Sequence, residues 1–268
     1  MTQMFNLSRI TDFVSGDSDD APGSSKLKGH ALRSLEYAIT ELFSDKIALV
    51  SSFGSASVVL LHMVSEIKPD LPVLFVDTGK LFPETLAYRD TLAERLGLSN
   101  IQTVTPDADA LRASDRDGSL WQSIPDQCCE LRKVAPLAAA LEPYSAWISG
   151  RKRYQKGQRQ QLSVFEKDGG KVKINPLAIW SPGNVQEYVE AHGLPVHPLI
   201  AKGYPSIGCA PCTSPVKAGE DERSGRWRGQ SKTECGIHFT TNSTSENISG
   251  TNAEPALGTQ SRRTKSWA

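Results

Sequence analysis

The stretch that decides the fold is Lys46–Ser57, KIALVSSFGSAS, which leads directly into the apolar run VVLLHMV. The segment Lys46–Val50 is short and apolar, as expected of a buried strand, and the run after Ser57 predicts a helix. A buried strand, a loop rich in Ser and Gly, and a helix are typical of a parallel sheet built from βαβ units. Open sheets of this kind bind ligands at the carboxyl ends of their strands, so the loop is a candidate binding site.

Similar strand and helix signals follow along the chain. Pro83–Gly97 predicts a helix, because Pro lies in its first turn, an acidic residue follows and Gly ends it. The other predicted elements are a helix at 30–43 and strands at 71–76, 101–104, 146–149 and 172–174. This alternation predicts an α/β, doubly wound fold, with a mostly parallel sheet and helices on both faces.

The 268 residues are enough for one large domain, which we predict over residues 26–239. Regular structure fades after Pro195, and a C-terminal segment at about 213–239 completes the domain. Residues 1–25 are polar and predict a flexible N-terminal arm. Residues 240–268 are rich in Ser, Thr, Asn and Gly and predict a disordered tail.

The composition argues against several classes of protein. Lys and Arg number 30, and Asp and Glu also number 30, which argues against a general nucleic-acid binder. No apolar run reaches about 18 residues, and the first residues lack a secretory pattern, so neither a membrane span nor a signal peptide is predicted. The five cysteines are an odd number and do not fit a disulfide framework. We therefore expect a cytoplasmic protein whose clustered cysteines serve metal or redox chemistry.

The loop after the first strand carries neither of the two common phosphate-binding motifs, GxxxxGK[ST] and GxGxxG. Gly54 nevertheless allows close approach of a ligand to the backbone, and Ser51, Ser52 and Ser57 offer hydroxyl groups. The N-terminus of the following helix suits an anion. An ordinary Ser-capped turn explains the same residues. Asp77–Gly79 favours the phosphate site, because it ends the next strand at the same edge of the sheet.

Four of the cysteines form two pairs. Cys128 and Cys129 are adjacent, and Cys209 and Cys212 form the motif CAPC. CAPC suits zinc, but adjacent cysteines strain a site that must bring both sulfurs to one ion. A [4Fe–4S] cluster takes its ligands at separate corners, so the spacing favours iron–sulfur over zinc. Burial of Cys128 and Cys129 as small apolar residues is the simpler alternative.

The fifth cysteine, Cys235, stands alone in the motif ECGIH, with His238 three residues later. A lone cysteine near a histidine and a lysine is a candidate nucleophile, because a positive neighbourhood favours the thiolate. An inert surface cysteine is the alternative.

Basic residues cluster in three further places. The run Arg151–Arg159 follows the strand at 146–149, Arg223 and Arg226 lie between CAPC and Cys235, and Lys133 lies four residues after Cys129. Solvated surface charge explains such runs in most proteins. Guanidinium groups also suit sulfate and phosphate, so we interpret them as a site for a small, multiply charged anion.

Taken together, these motifs resemble one family. SSFGSASVVLLH, FVDTGKLFPET, DQCCELRKVAPL, WISGRKRYQKGQR, GYPSIGCAPCT, GEDERSGRW and ECGIH run in family order from about residue 46 to 239. They resemble the bacterial assimilatory adenylylsulfate (APS) reductases, within the phosphoadenylylsulfate (PAPS) reductase family. The resemblance implies an adenine-nucleotide alpha-hydrolase-like fold and a C-terminal segment that carries the nucleophile.

The resemblance also assigns roles to residues. The matches to the family's [4Fe–4S] ligands are Cys128, Cys129, Cys209 and Cys212, and Cys235 matches its nucleophile. The matches to positions around the cluster or substrate are Lys133, Arg223, Arg226 and His238. The residues expected to bind substrate are Ser51, Ser52, Phe53, Gly54, Ser57, Asp77, Thr78, Gly79, Arg151 and Arg159.

The implied reaction is thioredoxin-dependent reduction of APS to sulfite and AMP through a Cys235 S-sulfonate, as in assimilatory sulfate reduction for cysteine biosynthesis. Thioredoxin or glutaredoxin would be the partner, without nucleic acid or membrane, and a homo-oligomer is compatible with the sequence. One alternative is a PAPS reductase, although PAPS-specific members generally lack both cysteine pairs. Others are an ATP-pyrophosphatase-type RNA sulfurtransferase, which would not need ECGIH, and a non-catalytic zinc or nucleic-acid-binding module.

Overall fold

A six-stranded sheet forms the centre of the fold. The computed structural model describes residues 24–230 and 232–238, so the first 23 residues of the predicted arm and the whole predicted tail lie outside the described residues. The strands are β1 (Ile47–Val50), β2 (Val73–Val76), β3 (Ile101–Val104), β4 (Ala146–Ser149), β5 (Phe165–Asp168) and β6 (Lys171–Ile174).

The strands lie in the order β3-β2-β1-β4-β6-β5. β1 pairs in parallel with both β2 and β4, and the pairs β2–β3 and β4–β6 are also parallel. Only β5 runs antiparallel, against β6 at the edge. The chain builds the sheet outward from β1 to one side and then crosses to the other, so the topology reverses between β1 and β4. Ligand sites of open α/β sheets lie at such a reversal.

Helices cover both faces of the sheet. They are α1 (Ser24–Glu36), α2 (Ser57–Ile67), α3 (Pro83–Leu96), α4 (Ala108–Ser114), α5 (Leu120–Ser123), α6 (Pro125–Cys129), α7 (Ala135–Leu141) and α8 (Pro182–Ala191). Two π-helical turns continue α1 and α6, at Tyr37–Leu42 and Glu130–Val134. After α8 the described chain has only short 3₁₀ turns, at Ile200–Lys202, Ala210–Cys212 and Gly236–His238.

The core divides along the two faces of β1, as a parallel sheet buried on both sides requires. Ile47 and Leu49 belong to the larger cluster, whereas Ala48 belongs to a smaller one with Leu137 and Trp147. The predicted doubly wound α/β fold is confirmed. No helix among the described residues is long and apolar enough to cross a membrane.

Several predicted boundaries were wrong for local reasons. The helix predicted at 30–43 begins at Ser24, inside the predicted arm, and its last part is π-helical. The strand predicted at 71–76 begins at Val73, because Pro72 has no N–H to donate to a neighbouring strand. β5, with the sequence FEKD, was not predicted, because an edge strand with polar residues on an exposed side lacks an apolar run.

Candidate active site

A cavity of about 200 Å³ opens at the carboxyl ends of β1 and β4, at the reversal of the strand order. The predicted site residues that line it are Ser51, Ser52, Gly54, Ser57, Lys133, Arg151, Arg159, Arg223, Arg226, Cys235 and His238. Those that do not line it are Phe53, Asp77, Thr78, Gly79 and the four paired cysteines. The structure thus brings the β1 loop, most of the basic residues and Cys235 together.

The β1 loop presents its backbone to the cavity because Phe53 turns away from it. Phe53 has a φ of 48°, and its fully buried ring packs edge-on against Phe75 with 5.4 Å between ring centroids. The Phe53 amide donates to the Ser51 hydroxyl at 3.2 Å. Phe53 therefore shapes the loop from the core side, whereas the neighbouring serines and Gly54 face the cavity.

The loop also closes against the segment that precedes CAPC. A Cβ atom on Gly54 would lie 3.3 Å from the Ser52 hydroxyl and 3.5 Å from the Ile207 carbonyl oxygen. Ser55 donates a hydrogen bond to the Pro205 carbonyl at 2.5 Å. Little space remains for a side chain at position 54, and the loop has a fixed place opposite the C-terminal segment.

Asp77, Thr78 and Gly79 do not line the cavity, although Val76 and Leu81 on either side of them do. β2 is one strand removed from the reversal point, and its loop turns toward the cysteines instead. The Thr78 hydroxyl is fully buried and lies 3.2 Å from the Cys209 sulfur. The Asp77 carboxylate accepts the Gly79 amide at 2.9 Å and closes the turn. Thr78 thus contacts a cysteine, and substrate binding by these three residues stays a prediction.

The four paired cysteines lie close together. Cys128 and Cys129 are buried at the end of α6, and Cys209 and Cys212 are free thiols at the 3₁₀ turn. Burial raises the pKa of Cys128, and the nearby Cys209 and Cys212 add to that rise. No three His, Cys, Asp or Glu side chains among the described residues could hold a single metal ion.

Arg132 ties the segment that carries Cys128 and Cys129 to the loop after β2. Its guanidinium donates to Asp115 at 2.6 and 2.9 Å and to the Thr78 carbonyl at 2.8 Å. Arg132 and Asp115 are both buried. A buried, charge-assisted contact of this kind holds its partners in one geometry. The helix with Cys128 and Cys129 is thereby fixed against the loop that contacts Cys209.

Cys235 lies close to Cys129 and to two cations. Cys129, Lys133 and Arg226 hold the pKa of Cys235 well below its usual range, against the opposing effect of burial. Burial also disfavours the charge on Lys133, but Cys235 and Cys209 outweigh it and raise the pKa of Lys133. The arrangement favours a thiolate at Cys235 next to an ammonium group.

Arg226 reaches the cavity through a gap that only glycine leaves open. A Cβ atom on Gly208 would overlap the Arg226 guanidinium. That group lies over the Trp227 ring, 4.5 Å from its centroid, and donates to the Ile207 carbonyl at 3.3 Å. Gly208, in the motif GCAPC, therefore leaves the space that this guanidinium occupies.

Three buried nitrogens around the cavity lack a hydrogen-bond partner among the described residues. They are the donors Arg226 Nε and Trp227 Nε1, and His238 Nδ1 of a neutral ring. The His238 ring lies parallel to Trp147, 6.3 Å between centroids, and burial holds the pKa of His238 well below its usual range. Buried donors without acceptors are costly, so their common cavity is suited to a ligand rich in acceptor oxygens.

Arg151 and Arg159 line the cavity but are already paired. Arg151 forms an ion pair with Glu166. Arg159 donates to the Glu234 carboxylate at 2.5 and 2.8 Å and to Gln155. Each guanidinium is committed to a carboxylate, unlike that of Arg226.

The sequence interpretation missed many residues of the cavity, and three of them are Trp227, Glu234 and Lys152. Trp227 and Glu234 lie inside the quoted motifs GEDERSGRW and ECGIH, so the signal was present. Lys152 is buried and donates to the Gly150 carbonyl at 2.8 Å, and burial lowers its pKa to about 7. Nothing in the run RKR distinguishes this lysine from the arginines beside it.

Comparisons with known proteins agree with this geometry. The phosphoadenosine phosphosulfate reductase domain family matches residues 46–215. An adenosine 5′-phosphosulfate reductase of Mesorhizobium japonicum is 53% identical over 231 residues, covering 84% of this chain and 91% of the relative. A phosphoadenosine 5′-phosphosulfate reductase of Gloeobacter violaceus is 45% identical over 201 residues, covering 73% and 83%.

A solved structure also matches. The phosphoadenylyl-sulfate reductase of Candida auris, in a phosphate complex, is 26% identical, with a TM-score of 0.58, and the match covers 74% of this chain and 100% of that one. The cavity at the strand reversal, the family match and these relatives lead to one conclusion: the chain belongs to the phosphoadenosine phosphosulfate reductase family.

Proposed function

We propose that this chain reduces adenosine 5′-phosphosulfate (APS) to sulfite and AMP, with Cys235 as the nucleophile and a dithiol protein, thioredoxin or glutaredoxin, as the reductant. As a member of its family, the chain is an oxidoreductase that acts on a sulfonucleotide. The observation that carries the proposal is the buried Cys235 thiol, which lines the cavity beside Lys133 and Arg226.

The β1 loop suits the nucleotide end of this substrate. Ser51, Ser52 and Ser57 offer hydroxyls, and Gly54 lets a phosphate approach the backbone at the N-terminus of α2. The sulfate end would then face Cys235, in the cavity that Arg226, Trp227 and His238 also line. The substrate would thus span the cavity from the loop to the thiol.

In the first step the Cys235 thiolate attacks the sulfate sulfur, the bond from that sulfur to the AMP oxygen breaks, and AMP leaves with the electron pair. The product is a Cys235 S-sulfonate. A thiolate and an anionic substrate repel each other, so cations at the reacting centre must offset that repulsion. Lys133 and Arg226 lie where such cations are needed.

In the second step a thiolate of the reductant attacks the Cys235 sulfur and releases sulfite, leaving a mixed disulfide. The second thiol of the reductant resolves that disulfide and frees Cys235. The two electrons that reduce the sulfate sulfur to sulfite thus come from the dithiol, which ends as a disulfide. A reducing compartment such as the bacterial cytoplasm suits this chemistry.

We also propose that Cys128, Cys129, Cys209 and Cys212 hold a [4Fe–4S] cluster. Four free thiols from two segments lie together, with the Thr78 hydroxyl 3.2 Å from the Cys209 sulfur. A cluster needs one thiolate at each of four corners rather than convergence on one point, so the donor set fits. When bound, the cluster would supply charge and order beside Lys133.

The cluster has its own test. Anaerobically purified protein should be brown and contain about four iron atoms per chain. Cys209→Ser should lose the iron, whereas Cys235→Ser should keep it. A colourless protein with zinc bound to the same cysteines would contradict this part of the proposal.

Turnover separates the proposed substrate from the alternative. With reduced thioredoxin or glutaredoxin, we expect sulfite and AMP in equal amounts from APS, and a lower kcat/KM for PAPS. A preference for PAPS would favour the substrate named for the Gloeobacter violaceus relative. Sulfite from neither nucleotide would contradict the proposed function.

A further inference from the structure

One buried carboxylate carries most of the polar side-chain contacts between the Cys235 segment, residues 232–238, and the rest of the chain. Glu234 Oε2 accepts from Arg159 Nε at 2.5 Å, and Glu234 Oε1 accepts from Arg159 Nη2 at 2.8 Å and Arg223 Nη2 at 3.3 Å. Oε1 also accepts the amide of Cys235 at 2.9 Å. The carboxylate therefore connects two guanidinium groups directly to the backbone of the residue that carries the thiol.

This contact is buried on every side. Glu234 is 6% exposed, and Arg159 is buried with it. Burial opposes the charge on Glu234, but the hydrogen bonds from Arg159 outweigh it and hold the pKa of Glu234 below its usual value. Removing one member of a buried charge pair is far more disruptive than removing an exposed one, because it leaves the partner uncompensated.

Arg159 has little left to offer a substrate. Its Nε and Nη2 donate to Glu234, and its Nη1 donates to Gln155. Arg223 is partly committed too, because its Nη2 also donates to the Thr233 carbonyl at 3.0 Å. The other ion pair of the segment, between Lys232 and Asp126, has a highly exposed carboxylate and contributes little.

The closed position places the thiol where the two steps of the proposed function make opposite demands. Cys235 is only 8% exposed. Burial suits attack on a nucleotide in the cavity, but a protein dithiol cannot reach a sulfur that the chain covers. The segment must therefore be held for the first step and released for the second, and Glu234 carries its buried ion pairs.

We propose that Glu234 is the positioning residue that latches the Cys235 segment closed for attack on the substrate, and that Arg159 is the receptor of this latch rather than a ligand of the substrate. The proposal rests on the proposed function for the two steps, but the latch itself is a property of the free protein. It can therefore be tested without any nucleotide.

The first experiment measures the reactivity of Cys235 toward iodoacetamide in the full-length, anaerobically purified protein, by peptide mass spectrometry. Glu234→Gln should label at Cys235 about tenfold faster than the natural chain, because the latch opens more often. Glu220→Gln is the matched control. It weakens an exposed pair with Arg228 and should leave labelling unchanged within about twofold.

Labelling at Cys128 and Cys209 serves as the internal reference for folding. If Glu234→Gln raises labelling at all cysteines together, the variant has unfolded and Arg159→Lys decides instead, since it keeps the charge and loses the two-pronged contact. Faster labelling at Cys235 alone supports the latch. If the folded variant labels at Cys235 at the same rate as the natural chain, the latch proposal is overturned.

The second experiment separates positioning from general structure. In a single turnover with APS, Glu234→Gln should form the S-sulfonate about tenfold more slowly, because the thiol is less often in place. Release of sulfite from preformed S-sulfonate by dithiothreitol should not slow. Equal slowing of both steps, or of neither, overturns the proposal. If Cys235 labels faster in Glu234→Gln but the natural chain does not react with APS, the latch is supported and the proposed function is contradicted.

Discussion

The cavity has two walls of opposite character. The sheet wall, residues 51–57 and 149–152, follows two parallel strands and offers hydroxyls and backbone groups. The C-terminal wall, drawn from residues 205–208, 222–227 and 234–238, has only a short 3₁₀ turn at Gly236–His238 and carries the Cys235 thiol and the Arg226 guanidinium. The first is ordered by strand pairing, and the second by side chains that pair across long stretches of sequence.

The difference divides the proposed work between the walls. Strand pairing leaves the β1 loop rigid and neutral, which suits a part of the substrate that only has to be held. The C-terminal wall depends on contacts such as Arg159 with Glu234 and Gly208 with Arg226. Such contacts can open and close, which suits a thiol that has to meet two partners. Substitutions in the C-terminal wall should therefore affect chemistry, and substitutions in the sheet wall should affect binding.

The largest effect is expected at Cys235. Cys235→Ser should lower sulfite formation by at least about 10⁴-fold, because serine is a far weaker nucleophile at neutral pH. Binding of AMP to the sheet wall, measured by calorimetry, should change by less than about threefold. Residual turnover within about tenfold of that of the natural chain would contradict the assignment of the chemistry to the C-terminal wall.

Arg226 should come next. Arg226→Met keeps much of the apolar contact with Trp227 but removes the charge, and kcat/KM should fall about 10²-fold. Arg228→Met is the matched control, since the Arg228 side chain is exposed and pairs with Glu220, and it should stay within about twofold. Steady-state kinetics measures kcat/KM for both variants. A similar fall in both would contradict a specific role for the Arg226 charge beside Cys235.

A smaller effect is expected in the sheet wall. Gly54→Val should weaken AMP binding about tenfold with little change in kcat, because its side chain would crowd Ser52 and the Ile207 carbonyl. Gly183→Ala, in α8 away from the cavity, is the control for a general effect of losing a glycine. A fall in kcat without weaker binding would contradict the assignment of this wall to holding the substrate.

The smallest effect should be a pH dependence from Lys152. Burial, with the Arg159 charge and against Glu222, lowers the pKa of Lys152 to about 7. Its charge is therefore present below about pH 7 and lost above it, so affinity for APS should fall as the pH rises through that value. Between pH 6 and 8, the fall in affinity for APS should be about threefold smaller in Lys152→Met than in the natural chain. A profile identical to that of the natural chain would exclude Lys152 from substrate binding.

The two walls also differ in how far the sequence predicts them. KIALVSSFGSAS carries its own strand, loop and helix signals, so the fold class and the place of the sheet wall followed from local patterns. The turn of Asp77–Gly79 toward Cys209 did not, because it depends on which strand lies next to the reversal point. The pairing of Arg159 with Glu234 joins residues 75 apart, and no local pattern records such a contact.

The cysteines illustrate the same limit. Their division into two pairs and one lone thiol is visible in the sequence, and the resemblance to the family assigned their roles. The structure adds that Cys235 lies close to Cys129, Lys133 and Arg226. That arrangement joins residues 129–133 with residues 226–235, about 100 positions later in the sequence, so only the folded chain shows it.

The central claim is that the thiol of the C-terminal wall attacks a substrate held by the sheet wall. The most direct test incubates the protein with APS in the absence of any reductant and maps covalent adducts by peptide mass spectrometry. We expect one added SO₃ group on Cys235, which thioredoxin or dithiothreitol should remove with release of sulfite. An adduct on another cysteine, or sulfite formation with no adduct on Cys235 at any time, would contradict it.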